Sequence, residues 1–325
     1  MRAVVVHTPG GPEALSLEDR PDPAPGDGEV LVDVGAAGVN YIDVYHRTGK
    51  YPLPTPFVAG SEGAGVVSGV GRGVEGVAIG DRVAWAMVPG AGYAERVVVP
   101  AARLVPVPDG VDLEVAAALM LQGMTVHYLV TSTYPVDEGT VALVHAAAGG
   151  VGLLLTQAAV ARGARVIGTA STEQKVRLAE RAGASDVIRY DLADVPAEVR
   201  RLTEGRGVDV VYDGVGAATW DGSLDSLRPR GLMVLYGAAS GAPAPMDPNV
   251  LNGKGSLFLT RPSLAHHIST REELLRRAGD VFAWATSGAL DVHIGARYGL
   301  ADAPQAHADL EARRTTGKSL VLPGR

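Results

Sequence analysis

The stretch His145–Gly152, HAAAGGVG, holds three glycines, three alanines and no formal charge, and it separates two apolar runs, VALV (Val141–Val144) and LLLTQAAVA (Leu153–Ala161). Near-weightless side chains between two core-packing segments mark a strand that turns directly into a helix. Ala147, Gly149 and Gly152 occupy the three positions of G-x-G-x-x-G. The first position serves the tight turn, the second lets main chain approach a pyrophosphate, and the third lets helix and strand pack closely. Alanine replaces the first glycine. The candidate pyrophosphate-binding residues are Ala148, Gly149, Gly150, Val151 and Gly152. An anion would rest on the N–H groups around Gly150–Leu153, at a helix N-terminus whose dipole favours it. A plain strand-to-helix turn would use the same small residues, so the surrounding sequence has to decide.

That surrounding sequence alternates. TVALVHA reads as a strand and GLLLTQAAVARG as a helix ended by Gly163. The strand ARVIGTA and the helix TEQKVRLAERAGA follow, with Gly183 at the helix C-terminus. DVIRY, AEVRRLTEG, GVDVVYDGV, ATWDGSLDSLRPRG (a helix together with its end) and LMVLYGA continue the series of strand, helix, strand, helix, strand. Strands and helices alternating at these lengths predict a doubly wound parallel sheet. Residues 1 to about 120 read differently. Short β runs such as EVLVDVGAAGV (29–39), DRVAWA (81–86) and YAERVVVP (93–100) are divided by Gly and Pro, which predicts a barrel-like antiparallel domain. Past residue 260, Thr270 and Glu273 form a capping box before a strong helix, a second helix covers about 303–313, and KSLVLP ends the chain as a strand. A terminal strand can return to the first barrel, which would make the dinucleotide-type domain an insertion.

At 325 residues, two domains are expected. No apolar run reaches the roughly 18–20 residues of a membrane span, and the N-terminal apolar run AVVV is too short for a secretory leader, so a cytoplasmic protein is expected. The absence of cysteine excludes disulfides, thiolate chemistry and every cysteine-liganded zinc site. A net charge of −7 carries no basic footprint for nucleic acid.

The cofactor's identity turns on the end of the second strand. NAD sites place Asp or Glu there for the ribose hydroxyls. RVIGTASTEQK offers Thr169, Ala170, Ser171 and Thr172 instead, with Glu173 already at the start of the next helix. A carboxylate would repel a 2′-phosphate, whereas hydroxyls and a cation would hold it. Ser171 and Lys175 fit that role, and Tyr190 is placed to stack or hydrogen-bond near the adenosine. NADP(H) is therefore expected over NAD(H), although Lys175 also reads as an ordinary solvated helix lysine.

With these residues in view, the chain resembles the zinc-free, zeta-crystallin-like NADPH:quinone oxidoreductases of the medium-chain dehydrogenase/reductase superfamily. The resemblance covers essentially the whole chain. Its markers include AAGVNYIDVYHRTGKYP (36–52), GSEGAGVVSGVG (60–71), QGMTVHYL (122–129), HAAAGGVGLLLTQ (145–157), GLMVLYGAASG (231–241) and LTRPSL (259–264). It implies an α/β chain with a GroES-like β-rich catalytic domain over 1–122 and 261–325 and an inserted Rossmann NADP-binding domain over 123–260. Zinc-dependent relatives carry a His-Glu pair and catalytic cysteines. Here Ser61 precedes Glu62 and no cysteine exists, so no metal site is expected. An acceptor that takes hydride readily, such as a quinone, needs positioning and hydrogen-bond donors more than a Lewis acid.

By the same resemblance, Asn40, Tyr41, Ile42 and Asp43 approach the nicotinamide end of the cofactor, and Tyr45 and Tyr51 line the quinone site as phenol donors. Thr125 and His127 run beside the nicotinamide, although His127 also reads as a packing or surface histidine. Gly237, Ala238, Ala239 and Ser240 pass the cofactor in a loop after a strand. Phe258, Thr260 and Arg261 are nicotinamide or amide contacts, although Arg261 also reads as structural. Arg314 or Lys318 is offered to the 2′-phosphate, although that segment also reads as a solvated basic helix end. Glu62 and Asp81 read as structural. The family implies a homodimer joined at the Rossmann sheet edge through GSLFLTR. Two rivals to quinone reduction remain at this point: reduction of enals, enones or enoyl thioesters with NADPH, and a non-catalytic role as an NADPH-stabilised structural or RNA-binding protein.

Overall fold

In Glu29–Gly38 the side chains of Val30, Val32 and Val34 are buried and Asp33 is exposed, the period-two pattern of a strand with one face on a core. The computed structural model describes Met1–Arg325 and resolves two units. One comprises Met1–Met124, His267–Thr286 and Val292–Arg325; the other comprises Thr125–His266 and Ser287–Asp291.

The first unit begins with β1 (Arg2–Val6), β2 (Leu15–Asp19), β3 (Glu29–Gly38), α1 (Tyr41–Arg47), β4 (Phe57–Val58), β5 (Glu62–Val70), β6 (Arg82–Ala86), β7 (Arg96–Pro100) and β8 (Val105–Pro106). A long helix, α2 (Leu113–Tyr128), leads out of it. In the second unit β9 (Val141–Val144), α3 (Gly150–Val160), β10 (Arg165–Ala170), α4 (Glu173–Arg181), β11 (Asp186–Arg189), α5 (Val195–Leu202), β12 (Val208–Asp213), α6 (Trp220–Ser226), β13 (Leu227–Leu235), α7 (Asn249–Gly253) and β14 (Phe258–Thr260) follow in order. After α8 (Leu264–His267), the chain returns to the first unit with α9 (Arg271–Thr286), β15 (Ile294–Gly299), α10 (Ala303–Glu311) and β16 (Lys318–Leu322).

In the first unit β1 lies between β2 and β4 in a small sheet, and a larger sheet runs β15-β16-β3-β5-β6-β8, with β7 also paired to β3. The terminal strand does return to the barrel: Leu320 and Val321 of β16 lie opposite Gly38 and Ala37 of β3. Val4, Val6, Val30, Val32, Trp85, Tyr93, Val97 and Val99 fill this unit's core. The buried Trp85 indole N–H donates to the Ala91 carbonyl at 2.6 Å, which answers the one polar atom of that side chain.

The second unit is one parallel sheet in the order β11-β10-β9-β12-β13-β14. This is the doubly wound order, whose switch point lies between β9 and β12. Leu143, Ile167, Val211 and Met233 from its strands meet Val199 and Leu224 from its helices. Helix α4 ends as its sequence predicts, with Gly183 at φ +104°. The capping box of α9 is present, with Glu273 N–H donating to Thr270 Oγ1 at 3.2 Å and Thr270 N–H reaching the Glu273 carboxylate at 3.4 Å.

Three expectations need correction. Helix α6 stops at Ser226, and Leu227–Arg230 already belong to β13. The first 120 residues are not purely β, since α1 and most of α2 lie within them. Helix α2 with its π-helical continuation (Leu129–Thr133) spans 21 residues with mean hydropathy 1.4, long and apolar enough to cross a membrane. However, 78% of that window is buried inside the protein, as in the core helix of a folded domain.

Candidate active site

The turn between β9 and α3 is shaped by what its residues lack. A Cβ on Gly152 would lie 2.3 Å from the Ala146 carbonyl oxygen and 2.8 Å from the Ala147 Cα, so only glycine fits there. Gly149 is the N-cap of α3, and no side chain caps that end. The N–H groups of Gly150, Val151 and Gly152 are in the first helical turn, where an α-helix gives its donors no internal partner. The turn thus presents open, aligned amides with the dipole behind them, as an anion requires. Ala147 in the first motif position is accommodated by the neighbouring strand: a Cβ on Gly168 of β10 would stand 2.9 Å from the Ala147 methyl. The sharp bend falls at Ala146, with φ +52°.

At the end of β10, Thr172 is the N-cap of α4 and accepts from Lys175 N–H at 3.3 Å. Ala170 pairs with Arg189, so Ser171 and Tyr190 leave adjacent strand ends together. Ser171 and Lys175 are half-buried, and the Tyr190 ring is exposed. Glu173, the nearest acid, is held by Arg189 at 2.9 Å, and Arg189 also grips Asp191 at 2.6 Å. Both carboxylates close to this corner, Glu173 and Asp191, are therefore charge-paired with Arg189.

The loops after β12 and β13 are zipped together. Ala239 N–H donates to Gly214 O at 3.1 Å, and Ser240 donates to Val215 O through both its N–H and its hydroxyl at 2.8 Å. A Cβ on Gly237 would fall 2.5 Å from Gly214 O. Ser240 serves this loop rather than standing open to a ligand, while Ala238 is buried. Thr260 is level with Val234, Tyr212 and Val144 at the carboxyl edge of the sheet, and Arg261 beyond it is exposed. Phe258 is different. It is two residues back from that edge and 61% exposed on the outermost strand, a poor place for a nicotinamide contact.

In the first unit α1 displays an aromatic cluster. The Tyr45 and Tyr51 rings meet edge-on with centroids 5.2 Å apart, and Tyr41 lies 6.2 Å from Tyr45. The Lys50 ammonium sits 4.3 Å above the Tyr45 ring, a cation–π contact that the sequence reading did not include. Ile42 is half-buried beside them. The Tyr41 hydroxyl donates to Leu310 O at 3.1 Å, and burial raises its pKa.

Asn40 and Asp43 are corrected: their side chains turn inward. Asn40 Nδ2 donates to Glu62 at 2.7 Å while its Oδ1 accepts from Lys318 Nζ at 2.8 Å. Lys318 and Glu62 form an ion pair at 2.6 Å, 2% and 0% exposed. Lys318 is thus neutralised inside the protein and cannot serve a 2′-phosphate, while Arg314 pairs with Asp309 at 2.6 Å. Glu62 is structural, as its sequence position suggested. Asp43 accepts from Asn40 N–H at 3.0 Å and forms the other half of the α1 capping box. Burial pushes its carboxyl up to about 7, against the opposing pull of Ser61, the Asn40 amide and Lys318. Tyr93 and His307 continue the buried chain at 3.1 Å, and burial together with Arg47 pushes His307 down to about 3. Thr125 and His127 are buried in α2, and the His127 carbonyl accepts from the Thr131 hydroxyl at 2.6 Å. No group of three or more His, Asp or Glu side chains is arranged to hold a metal ion.

A β-rich domain built from both ends of the chain, with a doubly wound nucleotide fold between them, defines a medium-chain dehydrogenase/reductase. Family models agree: residues 26–109 match the alcohol dehydrogenase GroES-like domain and residues 150–280 the zinc-binding dehydrogenase domain. A quinone oxidoreductase of Pseudomonas aeruginosa is 46% identical over 97% of both chains. The structure of Escherichia coli quinone oxidoreductase complexed with NADPH superposes with a TM-score of 0.97 at 43% identity, covering 99% of this chain and 100% of that one. A 2-haloacrylate reductase of Burkholderia is 40% identical over 99% of this chain and 98% of its own length. The chain belongs to the quinone oxidoreductase family of that superfamily.

Proposed function

We propose that this protein is an NADPH-dependent quinone reductase that works without zinc. The observation that carries the reading is the corner at the end of β10. Ser171 and Tyr190 follow the paired ends of β10 and β11, Lys175 lies in the first turn of α4, and the acids Glu173 and Asp191 are both held by Arg189. A 2′-phosphate would meet hydroxyl and ammonium groups instead of an open carboxylate. The amides of Gly150, Val151 and Gly152 hold the pyrophosphate, with Gly149 and Gly152 keeping the approach clear. When bound, NADPH supplies the hydride which, with one proton, converts a quinone to a hydroquinone. Tyr45 and Tyr51 orient the quinone and donate hydrogen bonds to its acceptor oxygen, and the Lys50 charge over Tyr45 adds positive potential beside it. Zinc independence is supported by the donor set, because Ser61 precedes Glu62, Glu62 is committed to Lys318, and the chain has no cysteine.

The relationship to a 2-haloacrylate reductase favours one second reading, hydride transfer to an activated alkene. Steady-state NADPH oxidation with a polycyclic ortho-quinone and with a 2-alkenal separates the two. A higher kcat/KM for the quinone, unchanged after chelator treatment, is the expected result. A higher value for the alkenal would replace the quinone assignment. Lys175→Ala should raise the Kd for NADPH by tenfold or more, about 1.4 kcal/mol, and leave NADH within about twofold. Equal losses for both would remove Lys175 from the 2′-phosphate site.

A further inference from the structure

A chain of polar side chains runs through the second unit beneath the phosphate-binding turn. His145, at the end of β9, is buried. Its Nδ1 lies 3.1 Å from Thr169 Oγ1 of β10 and its Nε2 lies 3.0 Å from Ser223 Oγ of α6. Ser223 donates to Asp213 Oδ2 at 2.8 Å, and Thr219 donates to the same oxygen at 2.6 Å. Asp213 Oδ1 accepts from the N–H groups of Val215 at 2.7 Å and Gly216 at 3.0 Å.

The proton positions follow from the far end. With four donors converging on it, Asp213 acts as a carboxylate that only accepts. The Ser223 proton therefore points to Asp213, and the Ser223 oxygen accepts from His145 Nε2–H. The imidazole is neutral, since burial lowers its pKa, so its Nδ1 accepts from the Thr169 hydroxyl. The Thr169 oxygen in turn accepts from Ala146 N–H at 3.3 Å, and the Thr169 carbonyl accepts from Ala147 N–H at 3.0 Å. Every link thus has one direction. One end holds the residue that carries the bend, Ala146 at φ +52°, a backbone region costly for a residue with a Cβ. The other end holds the loop that opens at Asp213 and is zipped to Gly237–Ser240.

We propose that His145, Ser223 and Asp213 are positioning residues that lock the phosphate-binding turn to the loop after β12, so that two walls of the cofactor site are set in register before the cofactor arrives. An apolar core of the same shape would stabilise the sheet as well without a buried charge. What the polar chain adds is a unique arrangement at the carboxyl ends of β9, β10 and β12, where doubly wound sheets bind ligands. A fully satisfied network of this kind fixes geometry.

The inference rests on NADPH as the cofactor. The test is Ser223→Ala, which cuts the chain at its middle, with Thr169→Val as an isosteric cut at the other end should the first variant fold poorly. NADPH affinity is read by fluorescence titration, together with KM for NADPH, KM for quinone, kcat and melting temperature. The expected result is a rise of about tenfold in Kd and KM for NADPH, equivalent to 1.4 kcal/mol, with quinone KM and kcat at saturating NADPH within about twofold. His145→Gln, which keeps a donor and an acceptor on the ring's two sides, should recover most of the affinity that His145→Ala loses. Cut variants that melt lower yet bind NADPH like the parent would overturn the inference and leave the cofactor reading standing. A parent protein that binds no NADPH would overturn both.

Discussion

A single methyl group tests the phosphate-binding turn. Alanine at position 152 would drive its Cβ to 2.3 Å from the Ala146 carbonyl oxygen, and main chain on both sides leaves no flexible atom to yield. Gly152→Ala should cost about 1–3 kcal/mol of stability, as overpacking does, and should weaken NADPH binding by more than tenfold, about 1.4 kcal/mol; thermal unfolding and fluorescence titration read the two effects. Normal NADPH affinity in that variant would remove the turn from the cofactor site. Asp43 permits a test through pH. Its carboxyl titrates near 7 in the folded protein and near 3.9 in an unfolded chain. Between those values the folded state holds a proton that the unfolded state has lost, so this group's contribution to stability falls as pH rises through the interval. Asp43→Asn cannot lose that proton. Its melting temperature relative to the parent should therefore climb by several degrees from pH 4 to pH 7, and a constant difference across that range would contradict the assignment.

Helix α1 shows how one element depends on distant strands. At its start Asn40 is gripped by Glu62 of β5 and Lys318 of β16, and at its end Arg47 makes two 2.9 Å bonds to Glu311 of α10. A Cβ on Gly38 would lie within 2.7 Å of Lys318 Nζ, so the barrel strand leaves room for the pair. Lys318→Met should cost about 3–5 kcal/mol in chemical denaturation, because it strands the buried Glu62 charge, and Glu62→Gln added to it should restore part of that loss. If Lys318→Met left stability intact and weakened NADPH selectively, the phosphate role would be reinstated. The pairing was not legible in the sequence, since Glu62 and Lys318 are 256 residues apart; only the structural character of Glu62 was. The βαβ turn was legible because its glycine spacing is local. The capping box of α9 and the Gly183 stop of α4 were legible for the same reason. Helix α2 was hidden because it is buried on nearly all sides and lacks the polar stripe that reveals a surface helix. Helix α6 was read too long, because the turn from Ser226 into β13 uses ordinary residues until Pro229. The replacement of the motif's first glycine by Ala147 became understandable only with Gly168 beside it.

For the whole molecule, the insertion was visible in the order of element types: a β-rich start, a strand–helix alternation, and a final strand that pairs back onto β3. What a single sequence could not display is which surfaces stay uncovered. The six-stranded sheet ends at β14, whose outer side has no partner strand, and Phe258 and Leu259 are 61% and 39% exposed there. An open apolar edge invites pairing with another chain unless something covers it. A homodimer joined along β14, with the edge of one copy against that of a second, would cover both at once. The Phe258 ring would then be an interface residue rather than a cofactor contact. Light scattering should give the parent protein twice its 33.5 kDa, and Phe258→Lys, which puts a charge on the edge, should shift the population to monomer. NADPH affinity of that variant should stay within about twofold, because the turn and the β10 corner lie on other strands. A dimer unaffected by Phe258→Lys would place the interface elsewhere, and a selective loss of NADPH affinity without dissociation would return Phe258 to the cofactor.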